Sequence, residues 1–342
     1  MTLNLDNLEY KLPENKIAKY PLKNREDAKL LYLNKVNSEI IHTKIKNLPD
    51  ILTQDDLIIF NNTKVNNWRF YGNLTTGAKV EVLLYERKSE TTFLAMLSAN
   101  RRIKENEEIK FKHGISAIVE FKEEKRLLEF ARNKDFENWL SKDGDVPIPP
   151  YLRRKSEPID YDRYQTIFSK NPGSIAAPTA GFHFSEKLIA NITKKKIEVA
   201  EITLEIGIGT FSPIRTKDFR QHKMHEEKYE IPKDVVNKIV QTHSRGGKVI
   251  AIGTTVTRAL ESAYLNKKDV LNPGKGTSDL FITPGYKFKV INGLLTNFHL
   301  PKSTLLSLVI AFAGKNSTEI AYTSALNEDY RFYSYGDAML IT

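Results

Sequence analysis

The stretch KVIAIGTTVTRAL, residues 248–260, sets the fold class of this chain. Val249 to Ile252 is a short continuous apolar run, the pattern of a strand covered on both faces. Gly253, Thr254 and Thr255 follow, and the pattern predicts a helix from about residue 256 to 265. Strand, tight turn and helix make a βα unit, and ligands of such units gather outside the carboxyl ends of the strands. Gly253, Thr254 and Thr255 are therefore candidates to meet a ligand through backbone and hydroxyl groups.

Upstream, Ile202, Leu204 and Ile206 alternate toward a core and end at Gly207-Ile208-Gly209-Thr210. This is not read as a dinucleotide fingerprint, because Phe211, Ser212 and Pro213 follow where a helix would have to open. Gly207 and Gly209 read instead as backbone clearance beside a pocket. Further back, residues 1 to about 64 end in a buried strand, Leu57 to Phe60. From Trp68 to Val119 the pattern changes to short strands, KVEVLLYE, TFLAMLSA, IKFK and ISAIVEF, separated by turn residues. With no amphipathic helix between them, these strands predict a small all-β barrel or sandwich. GDVPIPPYLRR, residues 144–154, reads as its exit linker.

Downstream lies LLTNFHLPKSTLLSLVIAFAG, residues 294–314, whose apolar residues surround a short helix on all sides and predict that it is buried. Asn297, His299, Lys302, Ser303 and Thr304 precede it, a polar group that is costly there unless satisfied. Helix amides favour an anion or electron-rich ligand at that point. A second cluster, GSIAAPTAGFHFSEKL at 173–188, joins small residues, including Thr179 and Gly181, to His183, with Ser185 placed to cap a helix near Glu186. A third, HKMHEEKY, brings together His222, His225, Glu226 and Glu227. Four of the seven histidines thus lie in loop-like segments beside ionisable groups. Each alone is more often structural; three such segments together point to an acid–base site.

Composition narrows the chemistry. Zero cysteines exclude disulfides, thiolate zinc, iron–sulfur clusters and a cysteine nucleophile. Two histidines three apart in HKMH are weak evidence for a metal, and none is expected. No apolar run approaches the roughly 20 residues that span a bilayer, and the first residues lack a signal-peptide pattern. A soluble cytoplasmic chain with no membrane partner is expected. The net charge of +10, from 52 Lys+Arg against 42 Asp+Glu, suits a polyanionic partner. Local basic groups are Arg101 with Arg102, Arg153 to Lys155, and Lys194 to Lys196; tyrosines 151, 161 and 164 near the second group suggest a nucleic-acid surface.

With these residues placed, the chain resembles the S-adenosylmethionine:tRNA ribosyltransferase-isomerases of queuosine biosynthesis. The matching stretches run in order: Tyr20-Pro21 with Arg25, FNNTKV at 60–65, KVEVLLYE at 79–86 and GDVPIPPYLRR at 144–154. GSIAAPTAGFHF at 173–184, LEIGIGTFSPI at 204–214, HKMHEEKYEIP at 222–232 and GGKVIAIGTTVTRALES at 246–262 continue the series, and the segments from 277 onward complete it. The resemblance implies an α/β main domain, a mixed sheet flanked by helices, built from residues 1–64 plus 148–342. A small antiparallel β-barrel would be inserted over 65–147.

The implied reaction moves the ribosyl part of S-adenosylmethionine onto the 7-aminomethyl-7-deazaguanine base at the tRNA wobble position. The sugar is isomerised, giving epoxyqueuosine and releasing adenine and methionine. S-adenosylmethionine would be co-substrate with no permanently bound cofactor, tRNA the partner, and a monomer the expected state. A base must take a proton from the carbon beside the sulfonium, an acid must help adenine leave, and the amine must be neutral. His183, His225 and His299 are the candidates for this work, with Glu227 orienting a histidine or holding charge. Asp279 and Asp337 are candidates for ribose hydroxyls or the amine. Arg258 and Lys302 could meet the methionine carboxylate or an RNA phosphate. Thr179, Gly181, Asn297, Ser303 and Tyr335 complete the substrate set, and Arg101, Arg102, Arg153 and Arg154 the RNA set. Against a site role, Arg258 could pair at the surface with Glu261, Asp279 could cap a turn, and Tyr333 and Tyr335 could be core.

Some positions depart from the family pattern: Asn62 stands where aspartate is usual, Glu205 where histidine is common, and Lys228 where an aromatic is common. Two other readings compete. An S-adenosylmethionine-dependent RNA methyltransferase would leave the demethylated cofactor instead of adenine. A catalytically silent RNA-binding protein would tolerate alanine at His183, His225 and His299.

Overall fold

The five residues of the Leu57–Asn61 strand are all buried. Leu57 and Ile59 enter one apolar core while Ile58 and Phe60 enter another, because successive side chains of a strand point to opposite faces. A sheet with both faces covered is the outcome. In this computed structural model, which describes residues 9–211, 222, 224–265 and 268–342, the sheet has nine strands. Their order is Gly274–Ser278, Glu227–Ile231, Glu198–Leu204, Leu57–Asn61, Val249–Ile252, Gly293–Asn297, Ala338–Ile341, Lys29–Leu33 and Ile40–Lys44.

Four neighbouring strands, from Glu198–Leu204 to Gly293–Asn297, are mutually parallel. The strands outside them add antiparallel pairings, so the sheet is mixed, as expected. Parallel alignment brings Asn61, Gly253, Asn297 and the exit of Leu204 to one edge. The predicted turn at Gly253 is present, with its helix at Thr254–Ala263. The all-round apolar helix is Thr304–Ala313, and Ser303 Oγ caps it by accepting from Leu306 N at 3.1 Å. Ser185 caps Glu186–Lys194 the same way.

The insertion is a closed antiparallel barrel in the order Lys125–Phe130, Thr92–Ala99, Lys79–Arg87, Arg69–Leu74, Glu108–Lys110 and Ser116–Lys122. The Lys125–Phe130 strand and the Phe136–Lys142 helix were not legible in the alternation pattern. Both serve the barrel core: Trp139 stacks on Phe70 at 4.1 Å between ring centroids, and Phe130 meets Phe136 at 4.9 Å. Residues 144–154 are no loose linker. Val146, Ile148 and Leu152 are almost fully buried, in one cluster with Tyr164, Phe182 and Tyr335. No helix among the described residues is long and apolar enough to cross a membrane.

Candidate active site

The shared edge of the parallel strands opens into a cleft of about 820 Å³. One wall is the start of the Thr254–Ala263 helix. Gly253 caps it at φ +93°, a backbone region side chains disfavour, and a Cβ there would lie 3.4 Å from Ala180 Cβ. The opposite walls are the Ala176–Ala180 segment, the strand end Thr296-Asn297 with His299, and Tyr151, Tyr333 and Ser334. Of the expected site residues, Thr179, Glu227, Gly253, Thr254, Thr255, Arg258, Asn297 and His299 line this cleft.

Asn297 is its organising residue. The side-chain oxygen accepts from Thr179 Oγ1 at 3.1 Å, and the amide nitrogen donates to the Tyr333 carbonyl at 3.0 Å. The same nitrogen lies 3.3 Å from His183 Nε2. Tyr333 sits at φ +76°, a strained position for a bulky residue. Its N–H donates to the Phe298 carbonyl, so hydrogen bonds hold it from both sides. Sequence reading passed over Thr296, Ser334 and the strain at Tyr333; only the polar end of the 293–297 strand hinted at them.

Glu227 and Arg258 form a buried ion pair inside the cleft wall. The other carboxylate oxygen of Glu227 accepts from Gly207 N at 3.0 Å, and Arg258 also donates to the carbonyls of Leu280 and Ser278. A pairing of Arg258 with Glu261 does not form. Glu261 turns instead to the backbone N–H groups of Lys289, Val290 and Ile291. The guanidinium is thus held rigidly with its charge balanced, where a surface pair would be worth little.

Burial pulls the His299 imidazole down to about 3, so the ring is neutral near pH 7. Its Nε2 lies 2.8 Å from Thr296 Oγ1, and its backbone carbonyl accepts from Tyr10 Oη at 2.5 Å. His183 does not line the cleft; it sits behind Asn297, held at about 3 by burial and then by Arg331 and Arg25. His225 is exposed and lines a second, wider cleft of about 1980 Å³ between the barrel and the main sheet. That cleft also carries Lys88, Arg126, Glu205 and Gly207, and Ile206 and Glu227 line both clefts. Gly209 packs against His225: a Cβ on it would come 3.1 Å from the imidazole. His222 packs against Phe281.

Other expected residues are committed elsewhere. Asp337 accepts from the backbone of Lys29 at 2.9 Å and Arg331 at 2.8 Å, and burial raises its carboxyl. Tyr335 donates to Asp160, whose carboxylate also takes two bonds from Arg154 at 2.6 and 2.8 Å. Arg154 is therefore occupied by protein groups. Arg101 pairs with Glu107 at 2.9 Å and Arg153 with Glu14, while Arg102 is exposed. Lys302 pairs with Glu9 at 3.1 Å, Ser303 caps its helix, Gly181 packs on Thr166, and Asp279 is exposed. None of these lines the 820 Å³ cleft. Of the departures, Asn62 accepts from Thr203 and Asn171 at the sheet edge, away from the cleft. Glu205 is half-buried, and burial raises its carboxyl. Among the described residues no group of three or more His, Cys, Asp or Glu could hold a metal ion.

A closed barrel joined to an α/β core, with a cleft where the parallel strands end, is the architecture of an α/β-class enzyme. The chain belongs to the queuosine biosynthesis protein family, whose model matches residues 5–341. It is 45% identical over 339 residues to the S-adenosylmethionine:tRNA ribosyltransferase-isomerase of Francisella philomiragia, covering 99% of this chain and 100% of that one. The enzyme of the same name from Halothermothrix orenii is 44% identical over 343 residues, with 99% and 100% covered. The crystal structure of S-adenosylmethionine tRNA ribosyltransferase from Thermotoga maritima superposes with a TM-score of 0.56 at 31% identity, covering 98% of this chain and 100% of that one.

Proposed function

We propose that this chain transfers and isomerises the ribosyl group of S-adenosylmethionine onto the aminomethyl deazaguanine at the tRNA wobble position, releasing adenine and methionine. Family membership over nearly the whole length supports the reaction. The observation that carries the assignment of the site is the gathering of Thr179, Gly253, Thr254, Thr255, Asn297 and His299 in one cleft where the parallel strands end.

In this reading the donor lies against Gly253, Thr254 and Thr255, with its sugar toward Asn297 and His299. With Nε2 donating to Thr296 Oγ1, the neutral His299 ring would offer Nδ1 to the proton beside the sulfonium. A pKa near 3 makes it a weak base, so the charge developing on that carbon must raise it. The buried Glu227–Arg258 pair is a fixed, charge-balanced part of the wall against which the donor packs. His183 acts through Asn297 as a positioning residue, and His225 lines the wider cleft beside the barrel. S-adenosylmethionine is the co-substrate, consumed in each turnover.

The test is adenine release. Purified protein with S-adenosylmethionine and tRNA bearing the aminomethyl base should release one adenine per modified tRNA, and none with unmodified tRNA. Formation of S-adenosylhomocysteine without adenine would replace this reading with methyl transfer, which the relatives do not favour.

A further inference from the structure

Behind Asn297 lies a small, open depression of about 20 Å³ that shares Ser334 with the main cleft. Its walls include His183 and three arginines, Arg25, Arg163 and Arg331, drawn from three distant parts of the chain. Their bonds go mostly to carbonyls: Arg25 to Phe182 and Asp162 at 3.3 and 3.4 Å, Arg163 to Leu22 and Lys23 at 2.9 and 3.3 Å, and Arg331 to Tyr20 at 3.3 Å. Carbonyls brace a loop but do not neutralise charge. Of carboxylates, Asp162 acts on Arg25, and Asp337 lies 3.9 Å from Arg331 while already holding two backbone N–H groups. Arg163 Nε is buried with no hydrogen-bond partner among the described residues.

Such crowding is unfavourable unless something negative shares the space. Arg25 is lowered by burial and then by Arg163, Arg331 is lowered by burial, and His183 feels both Arg331 and Arg25. Guanidinium forks match the oxygens of a phosphate or carboxylate. Lys19, Lys23 and Lys155 are exposed on the flanking surface, beside the exposed carboxylates of Glu157 and Asp162. Tyr20 is 47% exposed beneath the Arg154 guanidinium. Exposed aromatic and basic groups together suit an RNA strand. The donor's carboxylate would have to pass the wall of Asn297, His183 and Ser334 to arrive here.

We propose that this depression is an oxyanion site that seats one backbone phosphate of the tRNA, adjacent to the nucleotide whose base enters the main cleft. The proposal rests on the reaction proposed above for the choice of RNA, and seating the phosphate beside His183 and Asn297 would fix the base against the donor.

The experiment is equilibrium binding of the anticodon stem–loop to the full-length protein, with Arg25→Gln and Arg25→Lys variants. In parallel, hairpins carry a neutral methylphosphonate at each phosphate near the wobble nucleotide. Arg25→Gln should weaken hairpin binding roughly tenfold and reduce the slope of log K against log salt by about 0.7, while Arg25→Lys keeps the slope. One methylphosphonate position should weaken the wild type similarly and add nothing to Arg25→Gln, and affinity for S-adenosylmethionine should not move. The proposal is overturned if the two losses multiply, if donor affinity falls instead, or if the melting temperature falls with RNA affinity intact. Should Arg25→Gln not fold, unmodified wild-type protein still decides, because no loss at any methylphosphonate position refutes the seat. Adenine release is measured separately, so its absence with normal hairpin binding counts against the reaction and not against the phosphate site.

Discussion

Acidification should destabilise this protein through two buried imidazoles. His183 and His299 ordinarily titrate near 6.5, and burial holds both at about 3 in the folded chain. Between those values the unfolded chain takes up protons that the folded chain refuses. The stability they contribute is therefore complete above pH 6.5 and drains away as pH falls toward 3. Each pH unit costs about 1.4 kcal/mol per histidine, so pH 5 removes about 2 kcal/mol for each and about 4 kcal/mol together. For 342 residues that corresponds to a fall in Tm of roughly 5 °C. Asp337 and Glu261, both raised by burial, contribute with the opposite sign. The clean measurement is accordingly the difference between wild type and single variants in calorimetric scans from pH 7.5 to 5. His183→Gln and His299→Gln should each remove about half of the histidine-linked slope. If the Tm of either variant runs parallel to wild type across that range, the ring in question is charged or hydrated in the folded state, and its assignment as a neutral group in the site fails.

Three further outcomes are expected. Glu227→Gln should cost about 3 kcal/mol by stranding the buried Arg258 charge; adding Arg258→Met should recover most of that in a double-mutant cycle read by denaturant unfolding, and simple additivity would argue against a buried pair. Gly253→Ala should lose about 1–3 kcal/mol from backbone strain at φ +93° and weaken S-adenosylmethionine binding measured by calorimetry. Trp139→Ala should cost about 3–5 kcal/mol in the barrel core, where it stacks on Phe70, and hydrogen exchange should show the loss concentrated in the barrel strands.

Local patterns were enough to read the βα turn at Gly253, the cap at Ser185, the buried helix at Thr304–Ala313 and the strand-rich insertion. Each depends on neighbours in the chain: apolar period, a small residue at a turn, a hydroxyl one residue ahead of a helix. The barrel's last strand, Lys125–Phe130, escaped because its charged residues mask the alternation, although it forms a hairpin with the preceding strand, Ser116–Lys122. Candidate site residues were legible by type but not by destination. Asp337 and Asn297 look equally polar in the chain, yet backbone N–H groups claim the first while the second organises the cleft. Arg154 was an RNA candidate until folding set Asp160 against it, while Arg25 was not among the candidates. Arg25, Arg163 and Arg331 are far apart in the chain, and no periodicity links them. Their meeting behind His183 is a product of sheet order and loop packing, because long-range contacts decide which polar groups are satisfied internally and which are left facing a cavity.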